Sequence, residues 1–284
     1  MASFTQKLLS YNINGTQAPA GLRSTCRLST TNGPGMGTAE VSLYGMTLSD
    51  MNAITTLGTQ INQFSKNPVT IQAGDANGMS LVFQGTVQAA FVDAQAMPEV
   101  CFRFTALAGG AEARMKAQPT SVQGAGDVAT IGQQLAQKMG LAFEGNNVNV
   151  KLQNLYLPGS LRQQAAMLAE HAGVTWVIER GVLAMWIPGQ GRQTASSSNI
   201  LSKDTGMVGY PAYGSPTSII VNCLFRPELR QGDKVTVQSE LTPACGTWEI
   251  MRIDAELEAL TPHGKWFSQL TCMTQGEQTA GDQG

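Results

Sequence analysis

The stretch between residues 80 and 106 constrains the fold most, because apolar and polar side chains alternate there at the two-residue period of a half-buried strand. Leu81, Phe83, Gly85, Val87, Ala89 and Phe91 are expected on one face, with Gln84, Thr86 and Gln88 on the other. After Pro98 the alternation resumes, with Val100, Phe102, Phe104 and Ala106 set against Cys101, Arg103 and Thr105. Shorter strands are expected at 22–29, 40–44 and 69–73, separated by turn-forming runs such as Asn32-Gly33-Pro34-Gly35. One helix interrupts them. Leu48, Met51, Ile54 and Leu57 share a helical face, Thr47 and Asp50 are spaced as a capping pair, and Gly58 is placed to end the helix.

The period then changes. Asp127 is placed to cap a helix whose stripe is Val128, Ile131, Leu135 and Met139, closed by Gly140. A second helix is expected from Ser160, with Leu161, Ala165, Leu168 and Ala172 inward and Gly173 as its stop. Strands at 174–178 and 182–187 complete a small α/β unit, and the polar run 191–199 has the composition of a linker. Beyond it the strand period returns. Ile219, Val221 and Cys223 alternate with Ile220, Asn222 and Leu224, and Val235 and Val237 follow Gly232-Asp233. In the next strand Met251, Ile253, Ala255 and Leu257 face one way, and Arg252, Asp254, Glu256 and Glu258 the other. A last strand is expected at 265–272 and a disordered tail at 275–284. No short-period repeat is visible.

Charge limits the partners. Only 13% of the 284 residues are charged, against roughly 25% in ordinary soluble domains, and the net charge is −2 with no Lys/Arg cluster. Sequence-specific or phosphate-driven nucleic-acid binding is not expected from such a surface. Uncharged polar groups cost less to desolvate than charged ones, so this composition suits faces covered by neighbouring subunits. The N-terminus lacks the charged and apolar regions of a signal peptide, and no apolar run is long enough for membrane anchoring. Cys26, Cys101, Cys223, Cys245 and Cys272 are scattered and odd in number, as expected of free thiols made in a reducing cytoplasm.

Residues that carry chemistry are scarce. His171 falls in a last helical turn and His263 in the turn Pro262-His263-Gly264, and no metal-ligand or nucleophile motif includes either. Gly124-Ala125-Gly126-Asp127-Val128-Ala129 fits a dinucleotide-binding turn, but the preceding residues 118–123 make a poor buried strand, so a flexible loop with an Asp cap is expected. Trp176, Trp186, Trp248 and Trp266 are expected in cores, Trp266 beside Leu270. Asp254, Glu256 and Glu258 are left. Three carboxylates on one strand face cannot be buried unpaired, so they must meet water or a cationic partner. No catalytic residue, cofactor or metal is assigned.

Several phrases resemble baseplate hub proteins of contractile-tailed phages. They are Tyr44-Gly45-Met46-Thr47-Leu48-Ser49-Asp50-Met51-Asn52 with Leu57-Gly58, Asp204-Thr205-Gly206-Met207-Val208-Gly209-Tyr210-Pro211, and Leu241-Thr242-Pro243-Ala244-Cys245-Gly246-Thr247-Trp248. Gly264-Lys265-Trp266-Phe267 near the end fits the same family, and the resemblance spans residues 3–273. It implies a β-rich α+β fold, with tail-tube-like β-barrel domains at 1–108 and 201–284 around a small α/β module and linker at 109–200. It also implies a non-enzymatic homotrimer in the virion baseplate, made in the host cytoplasm, that joins the sixfold tail tube protein to the threefold central spike protein. Tape-measure and baseplate wedge proteins are further partners on this reading. Three subunits with two barrels each offer six barrels in a ring, which satisfies both symmetries. Asp254, Glu256 and Glu258 are then candidate lumen-facing acids. Two other readings stand beside this one: a peptidoglycan-degrading tail enzyme using the same three acids, and a carbohydrate-binding module using surface tryptophans.

Overall fold

The computed structural model describes residues 5–18, 21–56, 67–192 and 199–274. The first block comprises β1 (Leu8–Ile13), β2 (Thr16–Gln17), β3 (Ser24–Thr31), β4 (Thr38–Tyr44), α1 (Leu48–Ile54), β5 (Pro68–Asp75), β6 (Gly78–Asp93) and β7 (Cys101–Leu107). Its strands lie in the order β3-β4-β7-β6-β5-β1-β2 and are antiparallel at every step. Leu43, Ile71, Phe102 and Phe104 are enclosed in its core. β7 follows the expected alternation, with Phe102, Phe104 and Ala106 buried and Arg103 outside. β6 does not. Its buried residues are Val82, Phe83, Thr86, Val87 and Ala90, because its register slips once opposite β5 and again between Val87 and Ala89 opposite β7. Each bulge moves the following side chains to the other face, so a single alternation cannot run the length of the strand.

In α1 the Thr47 hydroxyl accepts the Asp50 N–H at 3.1 Å, and Met51 and Ile54 are buried. The helix ends at Ile54 on an extended Thr55, and the expected last stripe residue Leu57 and terminator Gly58 lie outside the described residues. Leu48 was expected on the buried stripe, yet it is 65% exposed.

The middle module contains α2 (Gly110–Arg114), β8 (Thr120–Asp127), α3 (Val128–Met139), β9 (Ala142–Glu144), β10 (Lys151–Leu157), α4 (Leu161–Ala172), β11 (Thr175–Glu179) and β12 (Val182–Trp186). Asp127 and Ser160 cap α3 and α4, and Gly140 and Gly173 close them in left-handed conformations. Their expected stripes meet in one core, with Val128, Leu135, Ala165 and Leu168 fully enclosed. Residues 120–127 correct the flexible-loop expectation. They form a strand antiparallel to β10, in which Gly124 takes φ +75 and donates its N–H to the Asn154 side chain at 2.9 Å. The strand is hard to see in the sequence because half its side chains face solvent and a bulge breaks its period.

The last block comprises β13 (Ile200–Leu201), β14 (Ala212–Ser215), β15 (Ser218–Leu224), β16 (Lys234–Val237), β17 (Gly246–Ala259) and β18 (Trp266–Met273). Its strand order, β14-β15-β18-β17-β16, repeats β3-β4-β7-β6-β5. The likeness extends to detail. The long strands bulge at matching places, between Val87 and Ala89 and between Ile250 and Arg252. Val87 and Ile250 donate their N–H groups at 2.9 Å to Asn67 and Asp233, the residues just before β5 and β16. Val221, Ile250 and Leu270 form a separate core.

The two blocks are joined. β17 pairs with β18 over residues 249–257, while its other edge pairs with β16 over residues 246–249 and with β3 over residues 252–259. One 13-stranded sheet results, running as an open path from β14 to β2 with no pairing between these ends among the described residues. Two tail-tube-like β-barrel domains are expected, and no closed barrel is formed among the described residues. The shared sheet arises because β17 outruns the four-residue β16 and leaves an edge for β3.

Arginines seat the module on both blocks. Arg162 donates to the carbonyls of Pro34 and Gly35 and stacks 4.8 Å from the Trp176 ring. On the other side Arg180 donates to the carbonyls of Pro227 and Leu229. Arg192 opens the stretch expected to be a linker, but its side chain is fully enclosed and pairs with Glu144 and Glu179. Residues 193–198 and the tail 275–284 lie outside the described residues. Trp186 is 0% exposed and donates Nε1–H to Glu249 at 2.7 Å. Burial raises the Glu249 carboxyl above the usual range, against the N–H donors of Trp186 and Gly189. Trp266 departs from its expected place in a core beside Leu270. It is half-buried, packs against the first block's core and meets Phe225 edge-on at 5.7 Å.

Two predictions follow from this packing. Trp186→Ala is expected to cost about 3–5 kcal/mol and Trp266→Ala about half as much, read as shifts in the urea unfolding midpoint. A raised carboxylate pKa contributes stability below the unfolded-state value and loses it as pH rises. The stability of Glu249→Gln relative to wild type should therefore increase as pH rises from the ordinary carboxylate range through the raised pKa of Glu249, and a constant difference would show that Glu249 is not the titrating group.

Candidate functional site

Asp254, Glu256 and Glu258 project from one face of β17, as their alternation requires. The strand pairings extend this face into both blocks. One row runs Leu224, Phe267, Glu256, Arg27, Glu40, Thr105, and the next runs Asn222, Gln269, Asp254, Ser29, Thr38. The face is thus polar where it crosses the junction between the blocks, with exposed Leu224 and Phe267 at its β15–β18 end. A cleft of about 500 Å³ opens on it, lined by Arg27, Glu40, Tyr44, Arg103, Glu256 and Glu258.

Each acid of the row has a donor within the chain. Arg252 clamps Asp254 through two nitrogens at 2.8 and 2.9 Å. Glu256 accepts from Lys265 Nζ at 2.6 Å and lies 3.4 Å from Arg27 Nε. Glu258 accepts the Lys265 backbone N–H at 3.1 Å. Farther across the face Arg103 pairs with Asp93 and Arg23 with Glu99, each at 3.0 Å. The surface is therefore a mosaic of paired charges, where the sequence pattern alone suggested an acidic stripe. The bases were legible too: Arg27 alternates with Cys26 and Leu28 in a segment already expected to be a strand. Their meeting with Glu256 depends on a pairing between residues more than two hundred positions apart, which no local pattern records.

The pairing also bears on catalysis. The hydrogen bond from Lys265 holds the Glu256 carboxyl below its usual range. A glycosidase acid needs the opposite shift, so that it stays protonated until it reaches the leaving group. Elsewhere, Asp127 accepts the Thr130 N–H at 2.9 Å as the cap of α3. His171 and His263 are exposed at opposite ends of the chain's second half, one on α4 and one in a turn. No cluster of metal-ligating side chains occurs among the described residues, and no helix among them is long and apolar enough to cross a membrane. Of the tryptophans, Trp176, Trp186 and Trp248 are buried and Trp266 half-buried. The five cysteines are free, four of them buried, and burial pushes the Cys272 thiol up to about 12.

The sequence matches the family described as Baseplate hub gp41 over residues 6–267. No curated protein sequence matches it. Among solved structures, a tail protein from Neisseria meningitidis is similar with a TM-score of 0.65 at 10% identity, covering 95% of this chain and 97% of that one. The 43 kDa tail protein of prophage MuSo2 from Shewanella oneidensis gives 0.64 at 11% identity, covering 95% and 98%. The E. coli c3393 protein, a component of the type VI secretion system, gives 0.64 at 12% identity, covering 94% and 77%. At these identities the structural likeness speaks for the fold alone.

Surface ion pairs in high dielectric contribute little, about 0–1 kcal/mol each. Replacing Asp254, Glu256 and Glu258 with Asn, Gln and Gln is therefore expected to leave the urea midpoint nearly unchanged. Glu256, whose carboxyl is held low, should account for any loss, and that loss should vanish as pH falls through the carboxylate range.

Proposed function

Because the chain belongs to the Baseplate hub gp41 family, a family of structural phage tail proteins, we propose that it is the trimeric hub subunit joining the sixfold tail tube to the threefold central spike. Its first and last blocks, residues 1–108 and 201–284, act as two tail-tube-like barrels, with the module at 109–200 fixed between them. The repeated five-strand order and the two separate cores support this division. Three such chains present six similar units in a ring, so one assembly meets both partner symmetries without open interfaces. Tape-measure and wedge proteins are further neighbours on this reading.

The observation that carries the proposal is the polar face shared by the two blocks. Rows of side chains run without interruption from β15 to β7, and the charged ones are matched in sign across neighbouring strands. On the inner wall of the ring this face would line the DNA channel. A basic wall would hold phosphates by counterion release, and a strongly acidic one would repel them. A mosaic of internally paired charges does neither strongly, which suits a passage through which the genome must slide. There Asp254 neutralises Arg252, Glu256 neutralises Lys265 and Arg27, and Glu258 accepts the Lys265 backbone N–H.

If so, the triple Asn/Gln/Gln variant should assemble into particles but eject DNA more slowly, because it leaves the bases unmatched and attractive to phosphate. The retardation should weaken as salt rises. Normal ejection kinetics at low salt from fully assembled particles would remove these residues from the channel wall.

A further inference from the structure

The strand repeat between the two blocks gives a residue-by-residue correspondence. Aligning the bulges sets Ala90, Val92 and Asp93 of β6 against Ile253, Ala255 and Glu256 of β17. Following the pairings outward sets Ala212 and Tyr213 of β14 against Arg27 and Leu28 of β3. Within the chain β3 lies beside β17, with Leu28 opposite Ala255 and Arg27 opposite Glu256. That contact buries Leu28 to 7% exposure. At the corresponding place Tyr213 is 53% exposed, and no strand among the described residues lies on the outer side of β14.

β14 forms a free edge of the sheet, and all four of its residues are exposed. Exposed edges are ordinarily protected by charged side chains, yet residues 205–225 contain none. Val208 and Tyr210, just before β14, are also exposed, at 44% and 63%. β6 offers the matching edge. β5 pairs with it only as far as Thr86, and no strand covers that side beyond this point among the described residues. The match is inexact at one position. Thr56 exchanges hydrogen bonds with Ala90, its N–H donating to the carbonyl and its hydroxyl accepting the N–H. In the other block Thr30 of β3 plays that part, its hydroxyl bonding both the N–H and the carbonyl of Ile253. A strand arriving at β6 therefore meets free backbone only near Val92 and Asp93, and relies on side-chain packing elsewhere.

We propose that β14 of one protomer docks against the end of β6, at Val92 and Asp93, in a second copy of this chain, so that the contact between copies repeats the contact between blocks. A head-to-tail contact of this kind closes into a ring of three where each step turns by a third of a circle. The inference rests on the trimeric reading above and specifies its interface. Tyr213 packs over Val92 as Leu28 packs beside Ala255, and Ala212 falls opposite Asp93.

The test uses the full chain with the exposed Cys245 changed to Ser. Ala212→Cys and Asp93→Cys are placed on separate chains, mixed, and treated with a short bismaleimide, with the mass in solution measured by sedimentation. Trimers that yield a cross-linked dimer only on mixing, and a ladder ending at three chains when both cysteines share one chain, are the expected result. A second variant, Tyr213→Asp, should weaken the trimer by at least about tenfold without lowering its unfolding temperature. A trimer that gives no mixed cross-link, or that tolerates Tyr213→Asp, overturns this interface and leaves the trimeric reading standing. A wild-type chain that remains monomeric overturns both.

Discussion

The architecture depends on one strand having a longer edge than its own block can use. β17 spends four residues on β16 and eight on β3, while β18 covers its other side over residues 249–257. Backbone pairing is directional and fixes register, because a one-residue slip would turn every following side chain over. The two blocks are therefore held in one geometry by a ladder of hydrogen bonds. That ladder carries the polar face unbroken from one block into the next. It also sets Ala255 and Leu257, contributed by the last block, into the core of the first.

The module is fixed by different means. None of its described strands joins the large sheet. Its contacts are made by arginines aimed at backbone carbonyls of the neighbouring blocks, with Trp186 and Glu249 bonded beneath them. A planar guanidinium satisfies several acceptors at fixed angles, so Arg162, Arg180 and Arg192 orient the module as well as attach it. Enclosing such charges gains little net stability over apolar packing, whereas removing one partner leaves the other stranded. The arrangement thus specifies one orientation more strongly than it stabilises it. For a subunit that must present several surfaces to several neighbours, fixed orientation is the property that matters.

The chain achieves a repeated architecture without a repeated sequence. β3 to β7 and β14 to β18 agree in order, in the placement of the bulge and in the bond just before the third strand. Their side chains differ: Arg27 corresponds to Ala212, Asp93 to Glu256, and α1 to an irregular segment. Sheet topology requires alternation and turns, which many sequences supply. The bulges and edge bonds are backbone features with no obligatory residue type.

What the sequence determined by itself is whatever local periodicity and capping can encode. The helices from Asp127 and Ser160, the strand faces of β7, β15 and β17, and the outward position of Asp254, Glu256 and Glu258 all follow from nearest-neighbour chemistry. The family phrases were legible too, because short motifs survive where structure is only inferred. Tertiary structure alone decided the rest. It broke the alternation of β6 by pairing it with partners out of step, and it made a strand of the polar residues 120–127. It also drew Arg192 from an apparent linker into a buried ion-pair network. Above all it set β17 against β3, which placed a base beside an acid and turned an apparent stripe of charge into a matched surface. Those outcomes depend on which distant backbone edge is left free, and a free edge belongs to the assembled sheet, with no signature in the residues that form it.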